Sequence, residues 1–352
     1  MGERKVGLVV TIAIAVVVLV GVSAALLVFD QRTTGADALR TGGLAAGSVV
    51  ALYALWLNDR RRRTEEQRQQ TERERYQLED RRVELDRDRI ADERFARAIE
   101  LLGHETDQVR VGALHALAGL ARNRPDYAQT VLDVLCSYLR RPFSHHRYGA
   151  QFVDRAGEDE AERKLQVRLT AQRLVVDLLS RADDADAPAY DLDLTGATLE
   201  YFDVADRRIG TLTLRYAKLH SDNNFSRCQF HGPVWFTAAV VGPGRLHGRF
   251  RCDDSVFHHL AWFPGAEFNS RTTFRRTCFT GTTRFNETRF ANELSMADAE
   301  FHGHTDFREA HFGADTDLSG TTFRGEVVAT GITTSPDHDV VLPPELVSGD
   351  GG

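Results

Sequence analysis

From Leu194 to Phe323 a large apolar side chain recurs at every fifth or sixth position, usually with a small residue two positions earlier. Neither a helix, with about 3.6 residues per turn, nor a strand, with a period of about two, produces this spacing, so it predicts a repeat solenoid. The first stretch keeps a period of five through Leu194, Leu199, Val204, Ile209, Leu214 and Leu219. The last stretch alternates steps of five and six through Phe257, Phe263, Phe268, Phe274, Phe279, Phe285, Phe290, Met296, Phe301, Phe307, Phe312, Leu318 and Phe323.

Four sides, alternately five and six positions long, make one coil of the solenoid, which places every fourth apolar residue in one inward column. Neighbouring strands lie about 4.8 Å apart, so roughly six coils form a rod on the order of 30 Å long. Glycine two positions after a central residue marks a corner that needs relaxed backbone geometry. The predicted columns are Phe274, Met296 and Leu318; Phe279, Phe301 and Phe323; Phe263, Phe285 and Phe307; Phe268, Phe290 and Phe312. The corner glycines are Gly196, Gly265, Gly281, Gly303, Gly320 and Gly325.

The period breaks between Asn223 and Asp254, where a step of six at Phe225 shifts the phase and proline and glycine interrupt the pattern. We therefore expect distorted or looped-out coils in this part of the chain. The repeats are assigned to residues 190–325. Residues 326–352 lose the period and are predicted to cap the open end of the last coil, with a disordered tail at Gly349–Gly352.

Two apolar runs open the chain. Val6–Phe29 is uncharged and long enough to span a bilayer, which takes about 20 residues, whereas Thr41–Leu57 is shorter and rich in glycine and alanine. The cluster Arg60–Arg63 follows directly, and the positive-inside rule keeps it in the cytoplasm. Residues 1–58 are thus predicted to form a transmembrane hairpin, with spans at about 6–29 and 41–57 and both termini on the cytoplasmic side of the cell membrane.

Two alternatives to the hairpin stay open. The first run is read instead as a cleaved secretory signal if Val22-Ser23-Ala24 is its cleavage site, although its apolar core is longer than usual. In the second alternative the shorter run fails to span, which places the repeats outside the cell.

A charged segment, residues 59–94, follows the second apolar run. It holds twelve acidic residues, twelve arginines and no lysine, proline or glycine, so opposite charges at helical spacing predict a long helical stalk. Tyr76, Val83 and Ile90 are seven positions apart, as are Leu78 and Leu85. The stalk is therefore either a solvated single helix or a coiled coil that makes a homo-oligomer.

Residues 95–181 are predicted to be a helical domain. Val109–Arg122 and Tyr127–Leu139 carry apolar residues on one face and read as a HEAT-like helical hairpin, followed by a loop at Pro142–Glu160 and a helix at Ala161–Ser180. Positions 94–142 look like the helical segment of membrane-anchored pentapeptide-repeat proteins of actinomycete type; the sequence here is RFARAIELLGHETDQVRVGALHALAGLARNRPDYAQTVLDVLCSYLRRP.

The repeats carry a second resemblance. Asp193–Leu199, with the sequence DLTGATL, resembles the A(D/N)Lxx unit of pentapeptide-repeat proteins, and later units such as Thr272-Thr273-Phe274 and Ala299-Glu300-Phe301 have phenylalanine at the centre. The resemblance implies a right-handed, quadrilateral β-helix. In that fold the central residue and the small residue two positions before it point inward. The whole chain is accordingly predicted to be of the α+β class.

No catalytic, cofactor-binding or metal-ligating residue is predicted. The four cysteines make no metal or disulfide spacing, and there is no P-loop, GxSxG or HExxH motif. The histidine pairs lack a third and fourth ligand and are interpreted as surface residues; they are His145-His146, His258-His259 and His302 with His304. A group of arginines leaves contact with lipid headgroups or nucleic acid open; it comprises Arg245, Arg249, Arg251, Arg271, Arg275 and Arg276.

The favoured function is a membrane-anchored, non-enzymatic scaffold that presents the repeats to an unidentified protein partner, without a cofactor. An alternative is a DNA mimic that modulates a topoisomerase such as DNA gyrase, as some soluble pentapeptide-repeat proteins do. A mimic needs strong negative charge, yet 17 acidic and 15 basic residues between Asp191 and Gly325 give a net charge of only −2. An enzyme built from scattered residues is a third hypothesis.

Overall fold

The computed structural model describes residues 2–29, 35–151, 155–242 and 247–347, with the side chains at 2–8, 26, 27, 29, 60–71, 247 and 347 left out. The chain divides into two compact units, Met1–Arg89 and Ile90–Gly352. Parts of the sequence prediction lie outside the described residues; they include the side chains of Arg60–Arg63, the side chain of Arg245, residues 152–154 of the predicted loop, and the tail Gly349–Gly352.

The first unit pairs helix α1 (Gly2–Phe29) with the first part of helix α2 (Gly35–Leu102). The hydroxyl of Ser23 donates a hydrogen bond to the Ala38 carbonyl oxygen over 3.1 Å. A Cβ added at Gly42 would lie 2.8 Å from the Leu19 carbonyl oxygen, so only glycine permits this approach of the two backbones. Small residues at such crossings are typical of membrane helix pairs.

The start of α2 differs from the prediction. The second span was predicted to begin at about residue 41, but the helix already begins at Gly35. Asp37 lies in the first turn, where a negative charge interacts favourably with the helix dipole.

Gly35–Asp59 is, among the described residues, the one helix long and apolar enough to cross a membrane. The described apolar part of α1, Val9–Ala25, is shorter than that. By length and composition one helix is able to cross a membrane, so the two-span hairpin is not confirmed; the helix that meets the length is the second run, expected to be the weaker one.

The second unit begins with the last turns of α2 and a helical domain. Its elements are α3 (Asp107–Asn123), a 3-10 turn (Pro125–Tyr127), α4 (Ala128–Arg140), a second 3-10 turn (His146–Tyr148) and α5 (Arg155–Leu178). The three long helices pack on one another and share a core, in which Leu117, Leu135 and Val175 are fully buried. Helix α5 begins inside the segment predicted as a loop; its first six residues, RAGEDE, include Gly157 and carry no apolar period that would indicate a helix.

The solenoid follows as short strands that pair in parallel. In chain order they are β1 (Tyr190–Asp193), β2 (Thr198–Glu200), β3 (Arg208–Thr213), β4 (Lys218–Asn224), β5 (Gln229–Phe230), β6 (Val234–Trp235), β7 (Val240–Val241), β8 (His247–Arg251), β9 (Val256–Phe257), β10 (Ala261–Trp262), β11 (Glu267–Phe268), β12 (Arg271–Thr273), β13 (Cys278–Phe279), β14 (Thr283–Arg284), β15 (Arg289–Phe290), β16 (Leu294–Ser295), β17 (Glu300–Phe301), β18 (Thr305–Asp306), β19 (His311–Phe312), β20 (Thr316–Asp317), β21 (Thr322–Phe323), β22 (Val327–Val328), β23 (Thr333–Thr334) and β24 (Val340–Val341).

The strands stack into four ladders, one on each side of the solenoid, and each side has one inward column. Side 1 is lined by Leu194, Leu214, Phe236, Phe263, Phe285, Phe307 and Ala329. Side 2 is lined by Leu199, Leu219, Val241, Phe268, Phe290 and Phe312. Side 3 is lined by Val204, Phe225, Cys252, Phe274, Met296 and Leu318. Side 4 is lined by Ile209, Phe230, Phe257, Phe279, Phe301 and Phe323.

The four predicted columns are confirmed. Phe279 pairs with Phe301 and Phe301 with Phe323, so each residue lies over its counterpart one predicted coil further on. The rings of Phe279 and Phe301 stack with centroids 4.7 Å apart and planes 6° apart. Burying one such ring contributes about 1.5–3 kcal/mol, so the stacked columns are the main stabilising feature of the solenoid.

The predicted irregularity is one lengthened coil. Phe230 pairs with Phe257, a longer step along the chain than the one from Phe257 to its next partner, Phe279. The ladder of β4 and β8 shifts register between Ser221 and Asn223 in the same coil. At the other end, β22 to β24 continue the ladders past Gly325, giving about seven coils instead of six. A short helix, α6 (Pro344–Val347), follows and buries Leu346.

The corner glycines fall into two classes. Gly196, Gly265 and Gly320 have positive φ, as predicted. Gly281, Gly303 and Gly325 do not, and their lack of a side chain serves close packing between coils. A Cβ on Gly303 would lie 2.5 Å from the Gly281 carbonyl oxygen, which is backbone and cannot move aside.

Candidate functional site

Two tryptophans lie next to each other on the outer surface of side 1. Trp235 and Trp262 each precede an inward phenylalanine, so the alternation of a strand turns them outward. They are in register on β6 and β10, and both are half-buried. The repeat therefore sets two large aromatic surfaces side by side on neighbouring coils.

Arginines cover both tryptophans. The Arg215 guanidinium carbon lies 4.9 Å from the Trp235 ring centroid, and that of Arg284 lies 4.7 Å from the Trp262 ring centroid. Both distances fit a cation–π interaction. Tyr216, 64 % exposed, occupies the corner after Arg215. These five residues, Arg215, Tyr216, Trp235, Trp262 and Arg284, are called the tryptophan–arginine strip below.

The strip ends at a buried carboxylate. Asp306 follows Arg284 in the same ladder and accepts hydrogen bonds from the Arg308 guanidinium over 2.7 and 3.0 Å. Burial alone would raise the pKa of Asp306, but the hydrogen bonds from Arg308 and the charges of Arg308 and Arg284 lower it overall. Asp306 therefore holds a negative charge beside Arg284.

The corner after side 3 carries charges of alternating sign. Arg227 donates two hydrogen bonds to Asp206 over 2.6 and 2.7 Å, and Arg276 does the same to Asp254 over 2.6 and 2.8 Å. The arginine hydrogen bonds lower the pKa of both carboxyl groups. All four residues have positive φ and repeat the same corner geometry. Such a ladder is close to neutral and does not favour the continuous negative surface of a DNA mimic.

The arginines proposed for lipid or nucleic-acid contact are mostly engaged within the solenoid. The Arg271 guanidinium lies 2.9 Å from a Glu293 carboxylate oxygen, and the Arg249 guanidinium lies 4.0 Å from an Asp222 carboxylate oxygen. Arg275 donates to the Ser295 hydroxyl over 3.1 Å. The described members of this group thus do not form an open basic patch.

The helical domain contacts the first coils through a buried arginine. The Arg168 guanidinium donates to the carbonyl oxygens of Leu139 and Thr198, and it stacks 4.8 Å from the Phe143 ring centroid. Burial lowers the pKa of Arg168 to about 10, so the group stays charged at neutral pH. Gln172 accepts a hydrogen bond from the Glu200 backbone N–H over 3.1 Å. The helices therefore cover the open end of the solenoid.

A polar cluster lies beside this contact. The Tyr148 hydroxyl donates to the buried Glu200 carboxylate over 2.8 Å, and the Ser221 hydroxyl donates to its other oxygen over 3.2 Å. The Tyr148 ring stacks on His220 with centroids 3.8 Å apart. A cavity of about 310 Å³ adjoins the cluster and includes Lys218 in its lining. The hydrogen bonds join loop to solenoid, so we assign the cluster a structural role.

The histidines differ from the prediction in one case. His145 is fully buried, so the surface interpretation was wrong for this residue. Both ring nitrogens have partners: Nδ1 accepts the Arg147 backbone N–H, and Nε2 lies 3.1 Å from Glu162. His302 and His304 have separate carboxylate partners, Glu300 at 3.0 Å and Glu326 at 3.4 Å.

A second histidine pair was not foreseen. The rings of His231 and His258 stack on side 4 with centroids 4.7 Å apart, and His258 Nε2 lies 2.7 Å from the Gln229 side-chain oxygen. Burial and then the Arg208 charge lower the pKa of both rings, and the neighbouring His258 adds to the effect on His231.

The tryptophan–arginine strip was not foreseen from the sequence either, although a signal for it was present. Trp235-Phe236 and Trp262-Phe263 repeat the same dipeptide at the same position of neighbouring repeats. The segment inserted in the lengthened coil hid this relation, because it separates the two dipeptides by more than a regular coil.

All four thiols are free, and three of them are buried.

Residues 285–331 match the family model described as pentapeptide repeats (9 copies). Neither the curated proteins nor the solved structures contain a match to the chain. The matched residues lie in the regular coils, where each strand pairs with its counterpart one coil further on.

Proposed function

We propose that this chain, which its repeat match and its β-solenoid support as a pentapeptide-repeat protein, is a membrane-anchored, non-enzymatic scaffold. Pentapeptide-repeat proteins are generally protein-interaction modules, and their solenoid is typically not an enzyme. The observation that carries the proposal is the tryptophan–arginine strip, which we assign as the docking surface for a protein partner.

The composition of the strip supports this assignment. Tryptophan, tyrosine and arginine are the residues enriched at the energetic centres of protein interfaces, since they bury large areas and still hydrogen-bond. In the strip the tryptophans are held by stacked coils and the arginines already lie on them, so little side-chain entropy is lost on binding.

Anchoring is proposed from the first unit. Gly35–Asp59 is long enough to cross the bilayer, and α1 packs against it at Gly42 with small residues at the contact. We propose that α1 also spans and that both termini are cytoplasmic, with Arg60–Arg63 holding the orientation. Protease added to sealed vesicles tests this: the repeats are digested only where the cytoplasmic face is outside. Digestion from the opposite face contradicts the topology.

The stalk is proposed to associate between copies. Tyr76, Val83 and Ile90 keep the heptad spacing and are exposed in the single chain, as are Leu78 and Leu85. Charged replacements Val83→Lys and Ile90→Lys are expected to reduce the oligomer mass in detergent, measured by light scattering. An unchanged mass means that the stalk is a solvated single helix.

Affinity capture from native membranes tests the docking surface. The full-length protein is compared with the Trp235→Ala/Trp262→Ala variant, and Tyr201→Ala serves as a control because Tyr201 is an exposed aromatic residue on a different corner. We expect a partner that the parent and the control retain and the tryptophan variant loses. Identical capture by all three proteins removes the strip as the docking surface.

A further inference from the structure

Three metal-ligating side chains meet on the outer surface of side 4. Glu300 and His302 flank the inward Phe301, so both point outward, and Cys278 pairs with Glu300 from the preceding coil. The Cys278 sulfur, a Glu300 carboxylate oxygen and a His302 ring nitrogen all lie within 4.8 Å of one another. This spacing allows one ion to contact all three with small side-chain rotations.

The core beneath the two strands holds these side chains in position. Phe279 and Phe301, which follow Cys278 and Glu300 in their strands, stack in the core with their ring centroids 4.7 Å apart. His302 Nε2 already lies 3.0 Å from Glu300 Oε2. A rigid strand pair under the ligands lowers the cost of organising them around an ion.

We propose that Cys278, Glu300 and His302 form a binding site for a divalent transition-metal ion of the Zn²⁺ class. Thiolate sulfur, imidazole nitrogen and carboxylate oxygen are the ligands that Zn²⁺ takes in proteins, and water completes four-coordination when the protein supplies three. Binding forms one bond from the metal to each ligand and releases the thiol proton to solvent. His302 Nε2, which donates to Glu300 in the metal-free site, gives up its proton to solvent in order to coordinate, and the neutral ring takes a proton from solvent at Nδ1.

A second three-residue group, His145, His146 and Glu162, is less suited to a metal. His145 Nδ1 accepts the Arg147 backbone N–H, and the Arg147 guanidinium lies 3.7 Å from the Glu162 carboxylate. Gln166 donates to the same carboxylate. At the Cys278 site the competing cation is Arg324, 3.5 Å from Glu300, on an exposed side chain that is able to rotate into solvent.

The proposed site is independent of the docking surface, since it lies on side 4 and the tryptophan–arginine strip lies on side 1. A metal held there would join β13 to β17 and so cross-link two coils. Because the ion binds the folded solenoid, it is expected to stabilise the fold increasingly as its concentration rises.

The test titrates detergent-solubilised full-length protein with Zn²⁺, and in a parallel sample with Co²⁺. We expect one Zn²⁺ per chain, a higher unfolding temperature, and a thiolate-to-Co²⁺ charge-transfer absorption. Cys278→Ser and His302→Ala should each weaken binding by at least about tenfold, because even an outer-shell partner is worth about 10–100-fold. His304→Ala is the matched control, since His304 faces Glu326, and should bind like the parent.

Two results would overturn the proposal. One is Zn²⁺ binding by Cys278→Ser that equals binding by the parent, which places the ion elsewhere. The other is the absence of saturable binding and of the thiolate–Co²⁺ absorption in the parent protein.

Discussion

Single residues in the inward columns tolerate the least change, because each ring packs between the rings of the coils on either side. Phe285 stacks on Phe263 at 4.7 Å and on Phe307 at 5.2 Å, and all three are fully buried. The residue before it in the strand faces outward. Inward and outward positions therefore differ sharply in the expected cost of substitution.

Phe285→Asp should be severely destabilising, because it removes a packed ring and buries a charge without a partner. Loss of the ring alone costs about 3–5 kcal/mol, and the buried charge adds to this. Arg289→Asp, one residue before inward Phe290, faces solvent and should cost about 1 kcal/mol or less. Thermal unfolding of the two variants checks this; equal melting temperatures contradict the inward assignment.

The inward residues were predictable from sequence, whereas the strip was not. A buried column needs an apolar residue in every coil, so it leaves a period that one sequence reveals. Trp235 and Trp262 need only two neighbouring coils, and they become neighbours through the lengthened coil. His145 was misread for a related reason: its burial depends on Glu162 and on a loop whose path the sequence does not encode as a pattern.

Among the elements, the corners decide how closely successive coils pack. Glycine acts there in two ways, by adopting positive φ at Gly196 and by giving room to a neighbouring backbone at Gly303. The sequence predicted both as corners but did not separate them, since the second role depends on the register between coils. The helix starts at Gly35 and Arg155 were also missed, because the first residues of the two helices, GADALR and RAGEDE, include glycine and carry no regular apolar period.

Gly303→Ala should destabilise the solenoid by about 1–3 kcal/mol, because its Cβ meets the backbone of the preceding coil. Gly119→Ala is the matched substitution in helix α3, where a Cβ meets no atom within 4 Å. There the change should stabilise the protein by about 0.5–1 kcal/mol through higher helix propensity. Chemical denaturation of both variants measures the change in the free energy of unfolding of the second unit. A change of the same sign in the two variants contradicts the close-packing role of Gly303.

The histidine pair on side 4 makes stability depend on pH. The folded-state pKa of His231 and of His258 lies below the ordinary value of about 6.5, so the unfolded chain binds more protons as the pH falls. Above about pH 6.5 both rings are neutral in the folded and the unfolded chain, and the pair costs no stability. As the pH falls from there through the lowered folded pKa values, the free energy of unfolding decreases. Carboxyl groups with a lowered pKa, such as Asp254, stabilise the fold above about pH 3.9, and this stabilisation is lost only as the pH falls below that value.

Replacing both rings by threonine, the residue at the equivalent position 280, should reduce the fall in melting temperature between about pH 6.5 and pH 5. Part of the fall should remain, because burial also lowers the pKa of His145. His115→Thr, an exposed residue of α3, is the control and should keep the slope of the parent. A double variant with the parent's slope contradicts the role of the pair.

The whole molecule joins a proposed membrane anchor, a helical domain that covers the first coil, and a solenoid whose side 1 carries the tryptophan–arginine strip. The order of N-terminal helices and a C-terminal solenoid was predictable from sequence, because the repeats have a period that no helix has. The identity of the partner was not predictable, since it depends on a few outward-facing residues that leave no period in the sequence. The central claim is therefore that binding is confined to side 1, and it is best tested where two positions differ only in location.

Tyr216 and Tyr201 provide that pair. Both are tyrosines at positive-φ corners and are 64 % and 62 % exposed, but only Tyr216 belongs to the tryptophan–arginine strip. The measurement places a photo-cross-linking phenylalanine analogue at each position in the full-length protein and irradiates native membranes. We predict a cross-linked partner from position 216 and none from position 201. Equal cross-linking from both, or cross-linking from position 201 alone, would contradict the confinement of binding to side 1.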